Sequence, residues 1–417
     1  MISGLRKTSV KLSNVIVVLF LCSTAVLFLL SCDKEESEIT QSVSTSRPVS
    51  LEGVDFNLLE TTQKSDTTYS EGVILQNQSN NVLFQNRKWQ GTASIGIDRY
   101  KNLFVGWISG GDGEGNENYI TLSLSKDNGQ TWMHDKLVVC VKPADSTRLM
   151  DVSFFNDRFS NLYMAWSKKV EKKGVKEWSV VWYTKLKLNN DNTIEFTPPR
   201  RIAEGSMLNK PCYSNITKKL YFPIAVWFWG DASIYEAQYD SLNKRNLVGF
   251  KKDGYLPIPK AIKQIHEHMM VELSDSTFFA MVRTADGIYY SKSKDAIIWD
   301  EVKKFTGIGS TTSSRFFLKK LQSGRLLLIA NNSTIRRNLR AFLSDDDGKT
   351  WKYSLMIDTR YWVSYPDAVE DQDGVLKVVY DFERKPTGTI YYLTFSENDI
   401  LTGNEKNIKK IVVNTLL

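Results

Sequence analysis

Glu267 and Arg283 stand sixteen residues apart, and the stretch that joins them, HEHMMVELSDSTFFAMVRT over residues 266–284, is mostly apolar. Ser274 and Asp275 break it in the middle. This spacing predicts a hairpin of strands 269–273 and 278–284, with both charges at its open rim. A carboxylate beside a guanidinium pairs a proton acceptor with a holder of anions. The plainer reading is a surface Glu and a surface Arg on ordinary strands. A second concentration of acids, Asp112, Glu114 and Glu117, lies in the glycine-rich run 109–119, SGGDGEGNENY. Its glycines let backbone approach a ligand closely, and its oxygens also suit a calcium-binding turn or a flexible acidic loop. His134, His266 and His268 are the only histidines, so a histidine-rich zinc site is not expected. No metal or cofactor is called for.

The elements that must position these residues are short strands. Expected strands are 94–98 with 103–108, 119–125, 151–155 with 162–166, 179–186, 219–229, 316–321 with 326–330, 340–343, and 375–380 with 389–395. No long helical period interrupts them. The class is all-β, with turns spaced as in repeated antiparallel units.

The first 31 residues stand apart. Arg6, Lys7 and Lys11 precede an uncharged apolar run over 15–30, which ends in Leu29-Leu30-Ser31-Cys32. This is the pattern of a secretory signal, too short for an ordinary membrane span. It resembles a bacterial lipoprotein signal, which implies lipidation of Cys32. Asp33-Lys34-Glu35-Glu36 then resembles the surface-export signal of Bacteroidetes lipoproteins. The expected organisation is a signal over 1–31, a flexible tether over 32–75 and one domain over 76–417. The expected location is the outer membrane, facing the surface or the periplasm, with membrane contact through the lipid alone. The formal charge is +7 for 417 residues, and the basic residues are scattered, which leaves no nucleic-acid patch. A monomer is expected. Cys140 and Cys212 can pair as a disulfide or remain as two free thiols.

A repeat identifies the architecture. Ser125-Lys-Asp127-Asn-Gly129-Gln-Thr131-Trp132 and Ser344-Asp-Asp346-Asp-Gly348-Lys-Thr350-Trp351 share S-x-D-x-G-x-T-W, and Ser293-Lys-Asp295-Ala-Ile-Ile-Trp299 is a shortened copy without the glycine. Asp can bond the amides of its own turn, Gly permits a positive φ, and Trp packs beneath. The pattern resembles the Asp-box of sialidase-type β-propellers. It implies a six-bladed β-propeller of four-stranded antiparallel blades, at about 50–55 residues per blade.

The resemblance then extends to chemistry. The segment from Glu267 to Arg283 is similar to the sialidase segment carrying a catalytic glutamate and the second arginine of a triad. Arg337, seven residues before the box serine Ser344, falls at the third arginine, and Tyr365 at the nucleophilic tyrosine. The resemblance implies a retaining exo-glycosidase that removes a terminal acidic sugar, sialic acid by default. In it Tyr365 attacks, Glu267 takes the phenol proton, and Arg283 and Arg337 hold the substrate carboxylate. Asp112, Glu114 or Glu117 would supply the acid. The N-terminal third departs from the pattern. Gln90-Gly91-Thr92-Ala93-Ser94 stands where the first arginine belongs, and Arg87, three or four residues earlier, is the candidate replacement. Similarity to bacterial BNR-repeat proteins adds Arg148, Asp151, Lys210, His268, Arg315 and Asp367 as pocket candidates, with Lys210 and Arg315 weighted most. Two other classes stay open. One is a non-catalytic glycan-binding propeller that uses Trp107, Trp227, Trp229, Tyr361 and Trp362. The other is a polysaccharide lyase or histidine-based glycosidase with His266 or His268 as base.

Overall fold

A computed structural model describes residues 72–77, 87–141, 147–170, 178–242 and 246–416, all within the unit Pro48–Leu417. The expected signal, Cys32 and most of the tether lie outside the described residues. Among the described residues no helix is long and apolar enough to cross a membrane.

Six antiparallel sheets follow one another along the chain and form a six-bladed β-propeller. Their inner strands are Trp89–Ile97, Thr147–Asn156, Cys212–Tyr213, His268–Glu272, Phe317–Lys320 and Val363–Glu370. Blades 3 to 6 have four strands each, and blades 1 and 2 have five. In blade 1 the second strand, Leu103–Gly110, is buried at every residue because neighbouring blades cover both faces of its sheet. Each core therefore belongs to a seam. Phe104, Val152, Phe154 and Trp166 pack between blades 1 and 2, and Tyr221, Ile234, Met270 and Phe278 between blades 3 and 4.

Among the described residues the last blade meets the first without exchanging a strand. The C-terminal strand Lys409–Asn414 pairs within its own blade, with Thr389–Ser396. The seam is instead an apolar cluster of Ala93, Ile95, Trp107, Val379 and Tyr392, stitched by polar bonds. The Gln90 amide donates to Asn414 Oδ1 at 2.9 Å, and the Thr92 N–H to Asp381 Oδ2 at 2.8 Å. A strand at Val73–Gln76, which falls inside the span expected as tether, pairs with the outer strand Met133–Cys140 of blade 1. Its run Val-Ile-Leu-Gln is apolar enough to add to a sheet edge. A single strand expected over 219–229 is shorter. It ends at Ala225, and 227–229 turn. Cys140 and Cys212 are both free thiols.

Strand direction sorts the loops to two ends of the ring. Inner strands start, and second strands finish, at one end, where residues 109–118, 227–231, 285–286, 332–338 and 383–388 lie. All three Asp-boxes join third to fourth strands and so lie at the other end. Ser125 Oγ donates to Asp127 Oδ1 (2.8 Å) and accepts from the Gly129 N–H (2.8 Å), and Ser344, Asp346 and Gly348 repeat this. In the shortened box Ala296 takes the left-handed conformation, φ 64°, that glycine holds in the others.

Candidate active site

Three inner strands carry the same irregularity. Blades 6, 1 and 2 slip register after Ser364, Gly91 and Met150. The residues at the slips, Tyr365, Thr92 and Asp151, have φ of 54°, 57° and 59°. These are β-bulges, and each left-handed non-glycine residue costs roughly 1–2 kcal/mol. The bulge sends side chains two residues apart to different surroundings. Asp151 and Tyr365 serve the loop end, and Asp367 serves the axis.

At the loop end Tyr365 meets the hairpin of blade 4. Glu267 immediately precedes the inner strand His268–Glu272, and Arg283 sits on Phe278–Thr284 opposite it, tied by an Arg283 N–H to Glu267 carbonyl bond of 3.0 Å. The strands at 269–273 and 278–284 fall as expected to within a residue, so both side chains share a rim. The Tyr365 hydroxyl donates to Glu267 Oε1 at 3.1 Å, and Arg283 Nη1 donates to that hydroxyl at 2.8 Å and to Glu267 Oε2 at 3.1 Å. Arg283 Nε donates to Ser313 Oγ at 3.1 Å, and Ser313 in turn to Gln264. All three groups are buried. Burial raises the Tyr365 phenol despite the nearby Arg283, so the phenol is neutral and Glu267 is placed to receive its proton. Arg283 is held more firmly protonated, because Tyr365 and Glu267 outweigh its desolvation.

Two further guanidiniums cover the Tyr365 ring, Arg384 at 4.3 Å and Arg336 at 5.2 Å from its centroid. Arg384 comes from the loop after the second strand of blade 6. Its Nε donates to buried Asp381 at 2.9 Å, and Asp381 also accepts from Ser364 Oγ and the Thr92 N–H. Arg384 then crosses Gly91, where an added Cβ would lie 2.8 Å from its Cδ. The guanidinium thus enters, from the neighbouring blade, over the segment where the resemblance places the first arginine. Arg337 is offset by one residue from Arg336. Its Nη1 donates to the Tyr361 hydroxyl at 2.9 Å, and its Nε is buried without a hydrogen-bond partner.

Four carboxylates bear on this cluster. Arg384 Nη1 donates to Glu114 Oε1 at 3.1 Å, and Arg148 Nη2 approaches Glu114 Oε2 at 3.5 Å. Desolvation alone would raise Glu114, but the guanidiniums of Arg148, Arg384, Arg336 and Arg283 bring it below its usual value. Asp151 goes the other way. Burial, then the charge of Glu267, push it up to about 7, and its Oδ2 is buried without a hydrogen-bond partner. Asp381 anchors Arg384, and Glu267 serves Tyr365. Asp112 is 70% exposed and faces Lys88 and Lys385 at 3.7 and 3.8 Å, and Glu117 folds back on Gly111.

Several expected residues belong elsewhere. Arg87 is buried in blade 1 against Asp135, with Trp107 and Tyr119 beneath it. Lys210 and Arg315 lie at the ring's axis. Lys210 Nζ contacts Asp367 Oδ2 at 2.8 Å and the carbonyls of Ile95 and Phe154, and Arg315 contacts Asp367 Oδ1 at 3.3 Å and the carbonyls of Ala93 and Leu208. Their charges are spent on the chain itself. His268 donates Nε2–H to the Ser233 carbonyl at 2.9 Å, and burial lowers both His266 and His268 to about 4. Of the aromatics, Trp107 is wholly buried, whereas Trp229, Tyr361 and Trp362 are exposed.

The fold and this cluster define a sialidase-like β-propeller. The chain belongs to the BNR repeat-like domain family, which matches residues 101–378. A crystal structure of a protein of unknown function from Dyadobacter fermentans is similar at 13% identity and TM-score 0.58, over 78% of this chain and 96% of that one. The Hadza microbial sialidase is similar at 14% identity and TM-score 0.56, over 75% of this chain and 66% of that one. The leech intramolecular trans-sialidase, complexed with 2,7-anhydro-Neu5Ac, is similar at 12% identity and TM-score 0.54, over 76% and 69%. At these identities the likeness is one of fold. No curated protein matches the sequence.

Proposed function

We propose that the protein is a retaining exo-glycosidase that removes a terminal acidic sugar, with sialic acid as the first substrate to test. The observation that carries this reading is the buried contact of the Tyr365 hydroxyl with Glu267 at 3.1 Å and Arg283 at 2.8 Å. A neutral phenol that can hand its proton to a carboxylate suits attack on an anomeric carbon bearing a negative group, which an anionic nucleophile would be repelled by. In this mechanism Tyr365 Oη bonds to the anomeric carbon as the glycosidic bond breaks, and Glu267 takes the phenol proton. Asp151, protonated up to about pH 7, gives its proton to the leaving oxygen. It then takes one from the water that hydrolyses the glycosyl-tyrosine. Asp151 replaces the loop acids in this role, because Glu114 is held ionised and Asp112 and Glu117 face away from the cluster. Arg283, Arg336 and Arg384 hold the substrate's anion.

The test is hydrolysis of a fluorogenic sialoside beside uronic-acid and neutral glycosides, with Tyr365→Phe in parallel. Release of an acidic sugar that Tyr365→Phe abolishes supports the reading. Turnover of neutral sugars alone removes the acidic substrate. Glycan binding with no turnover points instead to a binding propeller. We further propose that Cys32 carries lipid and holds the protein at the outer membrane. Radiolabelled palmitate should enter the wild type and not Cys32→Ser, and equal labelling of both excludes this anchor.

A further inference from the structure

The inference that follows rests on the acidic-sugar reading of this site. We propose that Glu114 fills the place of the substrate's carboxylate in the unliganded protein, and that the glycine-rich loop 109–118 is a lid which an acidic sugar displaces.

Glu114 occupies Arg384, one of the three guanidiniums assigned to the substrate's anion. Its two oxygens reach two guanidiniums, Arg384 at 3.1 Å and Arg148 at 3.5 Å. Those guanidiniums are sunk in the site, with side chains 15% and 10% exposed, whereas Glu114 is 42% exposed and caps them from the solvent side. The cap is incomplete, because Arg384 Nη2 is buried with no hydrogen-bond partner. Arg384 is also the cation closest over the Tyr365 ring, so whatever anion replaces Glu114 lies beside the proposed nucleophile.

The loop is built to leave. Asn118 braces it internally, accepting from the Gly115 N–H at 2.6 Å and donating to the Gly113 carbonyl at 2.9 Å. Beyond Glu114, its charged ties to the rest of the ring among the described residues are Asp112 with Lys88 and Lys385, exposed pairs that contribute little and weaken with salt. At its base Gly110 has φ 147°, and an added Cβ would lie 2.4 Å from the Glu117 carbonyl oxygen, so this pivot requires glycine. At its tip a Cβ on Gly113 or Gly115 would meet nothing within 4 Å. The closed loop does not need glycine there, and the freedom those residues give serves other conformations.

An internal anion that must leave lowers apparent affinity by the fraction of time the site stands open. Isothermal titration of wild type and Glu114→Gln with N-acetylneuraminate and D-glucuronate, each beside its neutral methyl ester, measures this. At least one acid is expected to bind Glu114→Gln about tenfold tighter than wild type, with its ester changed less than twofold. Equal or weaker binding of both acids to Glu114→Gln, an equal gain for the esters, or no binding of either acid overturns the proposal. Hydrogen exchange supplies a second test: amides of 110–118 should exchange faster in the acid complex, and slower exchange contradicts displacement. Neither measurement requires turnover. A failure of Tyr365 chemistry leaves these equilibria standing, and unchanged equilibria leave that chemistry standing.

Discussion

Asp367 and Tyr365 are two residues apart on one strand, and each anchors a buried group of charges. At the axis, Asp367 neutralises Lys210 and Arg315, and the remaining donors of both cations end on backbone carbonyls or on Asn209. At the loop end, guanidiniums and carboxylates crowd one another with atoms left over: Arg384 Nη2 and Asp151 Oδ2 have no hydrogen-bond partner. Desolvation opposes every buried charge, and the response depends on partners. Where each cation has fixed partners, as Lys210 and Arg315 do, ions stay paired and lock the blades. Where carboxylates compete, as Asp151 does with Glu267, one of them is driven to hold a proton near neutrality. A buried oxygen without a hydrogen bond occurs in both clusters, Asp367 Oδ1 at the axis and Asp151 Oδ2 at the loop end; competition between neighbouring carboxylates, more than burial or satisfaction, separates the two.

After the nucleophile itself, the largest effect should come from Asp151→Asn. Removing the acid should lower kcat/KM about 10²–10⁴-fold on unactivated leaving groups and abolish the fall in rate as pH rises through about 7. An intact alkaline limb would assign the acid elsewhere. The same residue predicts a stability trend. Its native pKa lies above the unfolded value near 3.9, so the native state binds more protons, and stability should decline as pH rises from about 4 to about 7. Urea unfolding of Asp151→Asn should show a flatter profile across that window.

The axis should respond in stability. Asp367→Ala strands two buried cations, and a loss of about 3–5 kcal/mol in urea unfolding is expected. A loss below about 1 kcal/mol would mean that the axial charges do not hold the ring. Arg384→Lys keeps the charge but not the fork that spans Asp381 and Glu114, so KM for an acidic substrate should rise about tenfold with melting little changed. An equal rise for neutral substrates would break the link between Arg384 and the anion. The smallest effect belongs to the opposite end of the ring. Asp346→Ala removes the Asp-box bonds to Ser344 and Thr350, which should cost about 1–2 kcal/mol and leave kcat unchanged.

The parts of this arrangement that the sequence made legible were those with a local pattern. Asp-boxes, the spacing of turns between short strands and the Glu267–Arg283 hairpin are set within a few residues, and they point to the blade count and to one rim of the site. Arg336, and not the neighbouring Arg337, lies over the Tyr365 ring, because a single residue in an irregular loop decides which side chain reaches it. Arg384 is not legible over Gly91 from the sequence, because it fills that space from another blade, nearly three hundred residues away in the chain. Lys210 and Arg315 read as pocket residues because a cation beside Pro211 or Phe316 looks the same at an axis and in a pocket. Only tertiary structure shows that carbonyls of blades 1 and 2 consume Lys210. Asp151 was singled out, but for binding. Its elevated pKa arises from burial and then from Glu267, neither of which its sequence neighbours reveal.

The most direct measurement is mass spectrometry of the protein after incubation with a fluorinated sialosyl fluoride, whose slow second step allows a covalent intermediate to accumulate. The account predicts a glycosyl adduct on the peptide containing Tyr365, absent in Tyr365→Phe. An adduct on Glu267 or Asp151, or turnover of the reagent with no adduct on the chain, would contradict it.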